Sequence, residues 1–90
     1  MPDLFNSSET SLTVKSQGYT FCYKMARDMD TSPASYSFFV SVENEAESYY
    51  DEVFVRDVTS SEDTANNIFR LITEGAVTPM ALKDVLEDLL

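Results

Sequence analysis

Histidine does not occur in these 90 residues, tryptophan does not occur, cysteine occurs once and glycine twice. Each absence closes off a class of chemistry. Without histidine the chain lacks both the commonest general base near neutral pH and the commonest neutral metal ligand. Cys22 alone cannot form an internal disulfide. With no histidine to take its proton, it reads as a structural residue of an aromatic strand, not as a nucleophile. Gly18 and Gly75 leave no GxGxxG or Walker-type loop to cradle a phosphate. No apolar run approaches the roughly 18 residues that a membrane-spanning helix needs. The opening "MPDLFNSSET" has neither a basic n-region nor an apolar h-region, so no signal peptide is expected. A reducing cytoplasm is the expected location.

Bases are also scarce: six against sixteen acids, for a net charge of −10. The imbalance is one-sided. Residues 1–42 hold four acids and three bases, whereas residues 43–90 hold twelve acids and three bases. With no basic patch to release counterions, direct binding to nucleic-acid phosphates is disfavoured, and an anionic membrane repels the chain for the same reason. What remains is enough for one small domain spanning residues 1–90, with 12% aromatics to build a core.

The first two thirds of the chain read as strands. "LTVKS" alternates, Gln17-Gly18 supplies a two-residue turn, and "YTFCYKMAR" alternates again with Tyr19, Phe21, Tyr23 and Met25 on one face. Asp28–Ala34 is a loop marked by Asp, Ser and Pro33. "SYSFFVSVE" puts Tyr36, Phe38, Val40 and Val42 toward a core and serines outward, with Phe39 out of place on the serine face. "YYDEVFVRDV" is a fourth strand of mixed faces, which fits either burial on both sides or a bulge. The strands run over about residues 10–58 and two helices follow, at about 61–74 and 79–90. The first has overlapping N-cap candidates, Ser60 with Asp63 or Thr59 with Glu62, an apolar face of Ala65, Ile68, Phe69, Leu71 and Ile72, and Gly75 as its C′ residue. The second opens on Thr78-Pro79 and carries Leu82, Val85, Leu86, Leu89 and Leu90 on one stripe. The expectation is an α+β fold: a four-stranded antiparallel meander followed by an αα-hairpin packed on one face.

The tail "ANNIFRLITEGAVTPMALKDVLEDLL" resembles the C-terminal half of a family of short bacterial proteins of unknown function. Asp57-Val58-Thr59 matches that family's "D-I-S" step. A helix, a "V-(S/T)-P" turn at Val77-Thr78-Pro79 and a last helix ending "EDxL" follow, over roughly residues 50–90. The family's pattern has a histidine-leucine pair after the proline; here Met80, Ala81 and Leu82 follow. The resemblance implies architecture and supplies no chemistry.

The feature left to explain is "ENEAESYYDE", Glu43 to Glu52. A calcium loop would need EF-hand spacing and its glycine, which Glu43, Asn44, Glu45, Glu47 and Asp51 do not offer. Carboxylates could form a glycosidase-like pair by residue type, but a small sheet with two helices rarely encloses a substrate cleft. No enzyme activity, metal or other cofactor is therefore expected. If the strand continued, Glu43, Glu45 and Glu47 would share one face at about 7 Å spacing, near that of backbone phosphates. Tyr49, Tyr50, Asp51 and Glu52 complete the cluster. Asp84, Glu87 and Asp88 crowd the end of the last helix, where acids oppose the dipole. Carboxylates beside tyrosines suit an arginine-rich partner, and Phe39 is a further contact candidate. The functional expectation is a non-enzymatic interaction module: an acidic, DNA-mimic type inhibitor that fills the basic groove of a nuclease or other nucleic-acid-binding protein. Phage and mobile-element inhibitors of the anti-CRISPR and anti-restriction kind are often of this size and charge. The alternative is a small cytoplasmic accessory protein whose charge serves solubility, homodimeric through a sheet edge or Phe39.

Overall fold

Gln17 and Gly18 both adopt left-handed backbone, φ 52° and 84°, the combination that closes a two-residue hairpin with the twist of its flanking strands. That turn joins β1 (Ser8–Ser16) to β2 (Tyr19–Asp28) in a computed structural model that describes residues 8–28 and 34–89. Most of the loop expected at Asp28–Ala34, and Leu90, lie outside the described residues. β3 (Ser35–Asn44) and β4 (Tyr49–Thr59) complete a single antiparallel sheet of order β1-β2-β3-β4. Helices α1 (Glu62–Glu74) and α2 (Pro79–Leu89) follow and pack on one face of it, over β2, β3 and β4. The expected α+β meander with an αα-hairpin is the fold. Among the described residues no helix is long and apolar enough to cross a membrane.

The core lies between the sheet and the helices. Tyr23 and Met25 of β2, and Tyr36, Phe38 and Val40 of β3, meet Ala65, Ile68 and Ile72 of α1 and Leu82 and Leu86 of α2. Period-two burial on the strands and i, i+3, i+7 burial on α1 are the two periodicities meeting at one apolar seam. Phe21, Phe69 and Val85 pack at its margin, only partly buried. Leu71 and Leu89, expected on the buried stripes, are exposed, because two short helices cover the sheet with a narrow face each.

β4 resolves its mixed pattern with a bulge. Tyr36 pairs with Thr59 but Phe38 with Val55, so β4 carries two more residues than β3 at this point. Asp57 sits at φ 55° in the bulge. Its amide donates to Ser37 Oγ at 3.2 Å, and its carboxylate accepts from Ser35 Oγ at 2.7 Å. The extra residues let Val53, Val55 and Val58 all reach the core side, while Phe54 faces the other way. Ser37 and Ser41, expected to face solvent, are buried, since small side chains at the centre of a sheet are shaded by longer neighbours.

Both ends of α1 sit one residue from their expected places. Ser61 is the N-cap and accepts from the Thr64 amide, where Ser60 and Thr59 were the candidates; Thr59 Oγ1 accepts from the Ser61 amide instead. At the other end Gly75 has an ordinary φ of −87°, and the left-handed residue is Ala76 at φ 50°. Ala76 N donates to Thr73 O and Val77 N to Ile72 O, at 3.3 and 3.0 Å. This is a Schellman motif with alanine where glycine is usual.

Candidate interaction surface

The helices leave the second face of the sheet open. The strand registers place Thr20, Glu43 and Tyr50 in one row on that face, Cys22, Ser41 and Glu52 in the next, and Lys24, Phe39 and Phe54 in a third. Phe39 is half-buried between Lys24, whose Nζ stands 5.7 Å above its ring, and the exposed Phe54. A shallow depression of about 210 Å³ lies beside these aromatics, bounded by Glu9 and Ala26. The sheet therefore presents a cation-capped aromatic patch, with acids at one end of it.

Those acids belong to the β3–β4 hairpin. β3 ends at Asn44, and Glu45–Ser48 form the turn. Asn44 is buried and clamps it: its backbone oxygen and Oδ1 both accept from the Glu47 amide, at 3.3 and 3.2 Å. Ser48 closes the turn at φ 53°. The strand thus stops before Glu45, and the phosphate-like ladder of Glu43, Glu45 and Glu47 does not form. Glu43 faces the open side, whereas Glu45 and Glu47 project from the turn, all three exposed.

Tyr50 and Glu52 flank Glu43 on the open face. The Tyr50 hydroxyl donates to the Glu52 carboxylate. That bond is the main cause that pushes the Tyr50 phenol above its ordinary value of 10.0, with desolvation and the Glu52 and Glu43 charges adding to it and Ser41 opposing. Tyr49 and Asp51 are on the other side of the sheet. Tyr49 meets Tyr19 edge-on at 6.5 Å, and the Tyr19 hydroxyl reaches Glu47 at 3.5 Å. Tyr19, Tyr49 and Asp51, together with Phe21, Pro79 and the largely exposed Met80, line a groove of about 390 Å³ at the start of α2.

The sequence-derived candidates accordingly fall into three groups. Phe39, Glu43, Tyr50 and Glu52 share the open face with the turn residues Glu45 and Glu47 at its rim; Tyr49 and Asp51 lie behind it; Asp84, Glu87 and Asp88 are exposed on α2, in the helix layer. The α2 acids and the hairpin acids are not one surface. Among the described residues, none of Glu43, Glu45, Glu47, Asp51 and Glu52 has a lysine or arginine within 4.0 Å, in contrast to Arg70 and Glu74, 3.9 Å apart along α1. Phe54 and Lys24 were not singled out by sequence. Phe54 joins the patch because a four-residue turn sets it opposite Phe39, and nothing in the residue order of β4 fixes that turn length. Among the described residues no cluster of three or more potential metal ligands occurs.

Residues 3–90 match the model of a family of unknown function (DUF6514), nearly the whole chain and not only its C-terminal half, so the protein belongs to that family. No curated protein and no solved structure matches the chain.

Proposed function

We propose that this member of a family of unknown function is a non-enzymatic protein-interaction module that engages a basic partner with the acidic end of its open sheet face. The observation that carries the reading is the juxtaposition at one hairpin of Glu43, Glu45, Glu47 and Glu52, exposed and with no lysine or arginine within 4.0 Å among the described residues, beside the exposed rings of Tyr50 and Phe54. Unneutralised carboxylates raise the local negative potential, which steers a cationic surface into contact. Aromatic faces next to them hold guanidinium groups by cation–π contact while the carboxylates accept their hydrogen bonds. Two lysines share this face: Lys24 is already engaged over Phe39, and Lys15 stands on the edge strand β1, in the row of Thr20 and Glu43.

The partner class best suited to such a surface is a cytoplasmic nuclease or other nucleic-acid-binding protein, whose basic groove ordinarily takes phosphates. Inhibition of the anti-CRISPR or anti-restriction kind is the specific form of the reading. It rests on charge and aromatic placement, not on phosphate-like spacing. Titrating the protein against a panel of basic nucleic-acid-binding proteins, with duplex DNA as competitor, tests it. Binding that duplex DNA displaces and that falls steeply with salt is expected. Failure to bind any member of the panel, or binding indifferent to DNA and salt, would remove the reading.

A further inference from the structure

β1 is the edge of the sheet that the helices do not cover, and its helix-side residues show it. Leu12 and Val14 stand 43% and 37% exposed, whereas their cross-strand partners Tyr23 and Phe21 are buried and half-buried. The outer side of β1 has no strand partner among the described residues. Among the described residues it is also unguarded. Edge strands are ordinarily blunted by bulges, proline or charge. The opposite edge, β4, has its bulge at Asp57 and carries Asp51, Glu52, Arg56 and Asp57. β1 is nine regular residues, SETSLTVKS, with no proline, no bulge and one charge near each end.

We propose that β1 pairs with β1 of a second copy of this chain, antiparallel, with the two-fold axis at Leu12, making one continuous eight-stranded sheet. The register follows from the strand itself. Full overlap of Ser8–Ser16 with its own reverse sets Leu12 opposite Leu12, Thr10 opposite Val14, and Glu9 opposite Lys15. An even offset keeps each side chain on its own face, so both helix layers stand on the same side. The one register that uses all nine residues is thus also the one that pairs the strand's two charges. Each dimer gains two Glu9–Lys15 contacts on the open face, and both Glu9 and Lys15 are exposed and without an ion pair among the described residues. The paired strands bring Leu12 and Val14 of both copies onto the floor of a valley between the two helix layers, which shields apolar surface that one copy leaves wet. The charge distribution permits the approach: the acids concentrate in residues 43–90, while residues 1–42 are nearly neutral. This contact uses residues outside the acidic hairpin and stands or falls independently of the proposed function.

Sedimentation equilibrium over a wide concentration range, with charge reversals and cysteine cross-linking, tests it. The mass should rise from one protomer to two. Glu9→Lys and Lys15→Glu should each weaken the dimer by about tenfold, because two like-charge pairs replace two attractive ones. Mixing the two variants should restore association as a heterodimer, since both cross-strand pairs then regain opposite signs. In a Cys22→Ser background, Leu12→Cys should form a disulfide-linked dimer on mild oxidation, the two axis residues being about 4.5–5.5 Å apart. Val14→Cys should not, because the two copies of residue 14 are offset by four residues, about 14 Å. Single-protomer mass at every concentration together with failure of Leu12→Cys to cross-link would overturn the proposal. So would a dimer unmoved by either charge reversal, or one in which Val14→Cys cross-links as readily as Leu12→Cys.

Discussion

Ala76 is an alanine holding a glycine's conformation, and Ala76→Gly should therefore stabilise the protein. Its φ of 50° is fixed by two hydrogen bonds, Ala76 N to Thr73 O and Val77 N to Ile72 O, which end α1 and turn the chain toward α2. For an L-residue with a Cβ, left-handed backbone costs about 1–2 kcal/mol. Glycine removes that cost but adds about 0.4–1 kcal/mol of backbone entropy to the unfolded chain. The balance is a gain of about 0.5–1 kcal/mol, or about 2–8 °C in Tm for a domain this small. The reciprocal variant separates this placement from the one the sequence suggests. Gly75 has an ordinary φ of −87°, and a Cβ there would stand 3.0 Å from Leu71 O and 3.8 Å from Val77 Cγ2. Gly75→Ala lowers the entropy of the unfolded chain, which stabilises, but meets modest crowding, so it should change stability by less than about 1 kcal/mol. Thermal melts of both variants at one fixed protein concentration read the difference. A destabilised Ala76→Gly together with a Gly75→Ala that loses well over 1 kcal/mol would refute the reasoning and return the left-handed position to Gly75.

Other variants probe the core and the open face. Phe38 is fully buried at the centre of β3, and Phe38→Ala should cost about 3–5 kcal/mol in denaturant unfolding; an unchanged midpoint would mean the strand faces are inverted. Phe39→Ser should leave the fold intact, within about 1 kcal/mol, because that ring is only half-buried on the uncovered face; loss of cooperative unfolding would show the open face to be structural. Tyr50 should titrate above the ordinary tyrosine value by ultraviolet absorbance, and Glu52→Gln should bring it down. Because the folded-state value is raised, the Tyr50–Glu52 contact contributes in full below the unfolded tyrosine pKa and is lost as pH rises through the folded one. A Tyr50 titration unmoved by Glu52→Gln would mean the two side chains do not share the proton.

The meander was legible because each strand but the last alternates, Phe39 apart, and the turn at Gln17-Gly18 announces itself. β4 was not, since its bulge depends on Ser35 and Ser37 of another strand holding Asp57. The helices could be located from the Thr59 and Ser60 cap candidates, Gly75 and Thr78-Pro79 to within a residue or two. Which residue takes the left-handed turn depended on how Val77 reaches the core. The candidate surface was half legible. The acids were evident, but their grouping follows from where β3 stops, and that is decided by Asn44 folding its side chain back onto the Glu47 amide. A sequence pattern carries no trace of that bond. Nor does it reveal that the helices stop short of β1, because helix width and sheet width are set separately.

The most direct test of the interaction-module reading is a side-by-side measurement of folding and association on one variant, with Glu43, Glu45, Glu47 and Glu52 all changed to Gln. Exposed carboxylates without an ion pair among the described residues add little to stability, and removing four of their charges relieves self-repulsion, so the melting temperature should stay level or rise. Association with a basic partner found in the titration panel should slow by about tenfold or more and lose most of its salt dependence. A lower melting temperature with unchanged association would contradict the reading, because the acids would then serve the fold and not a partner.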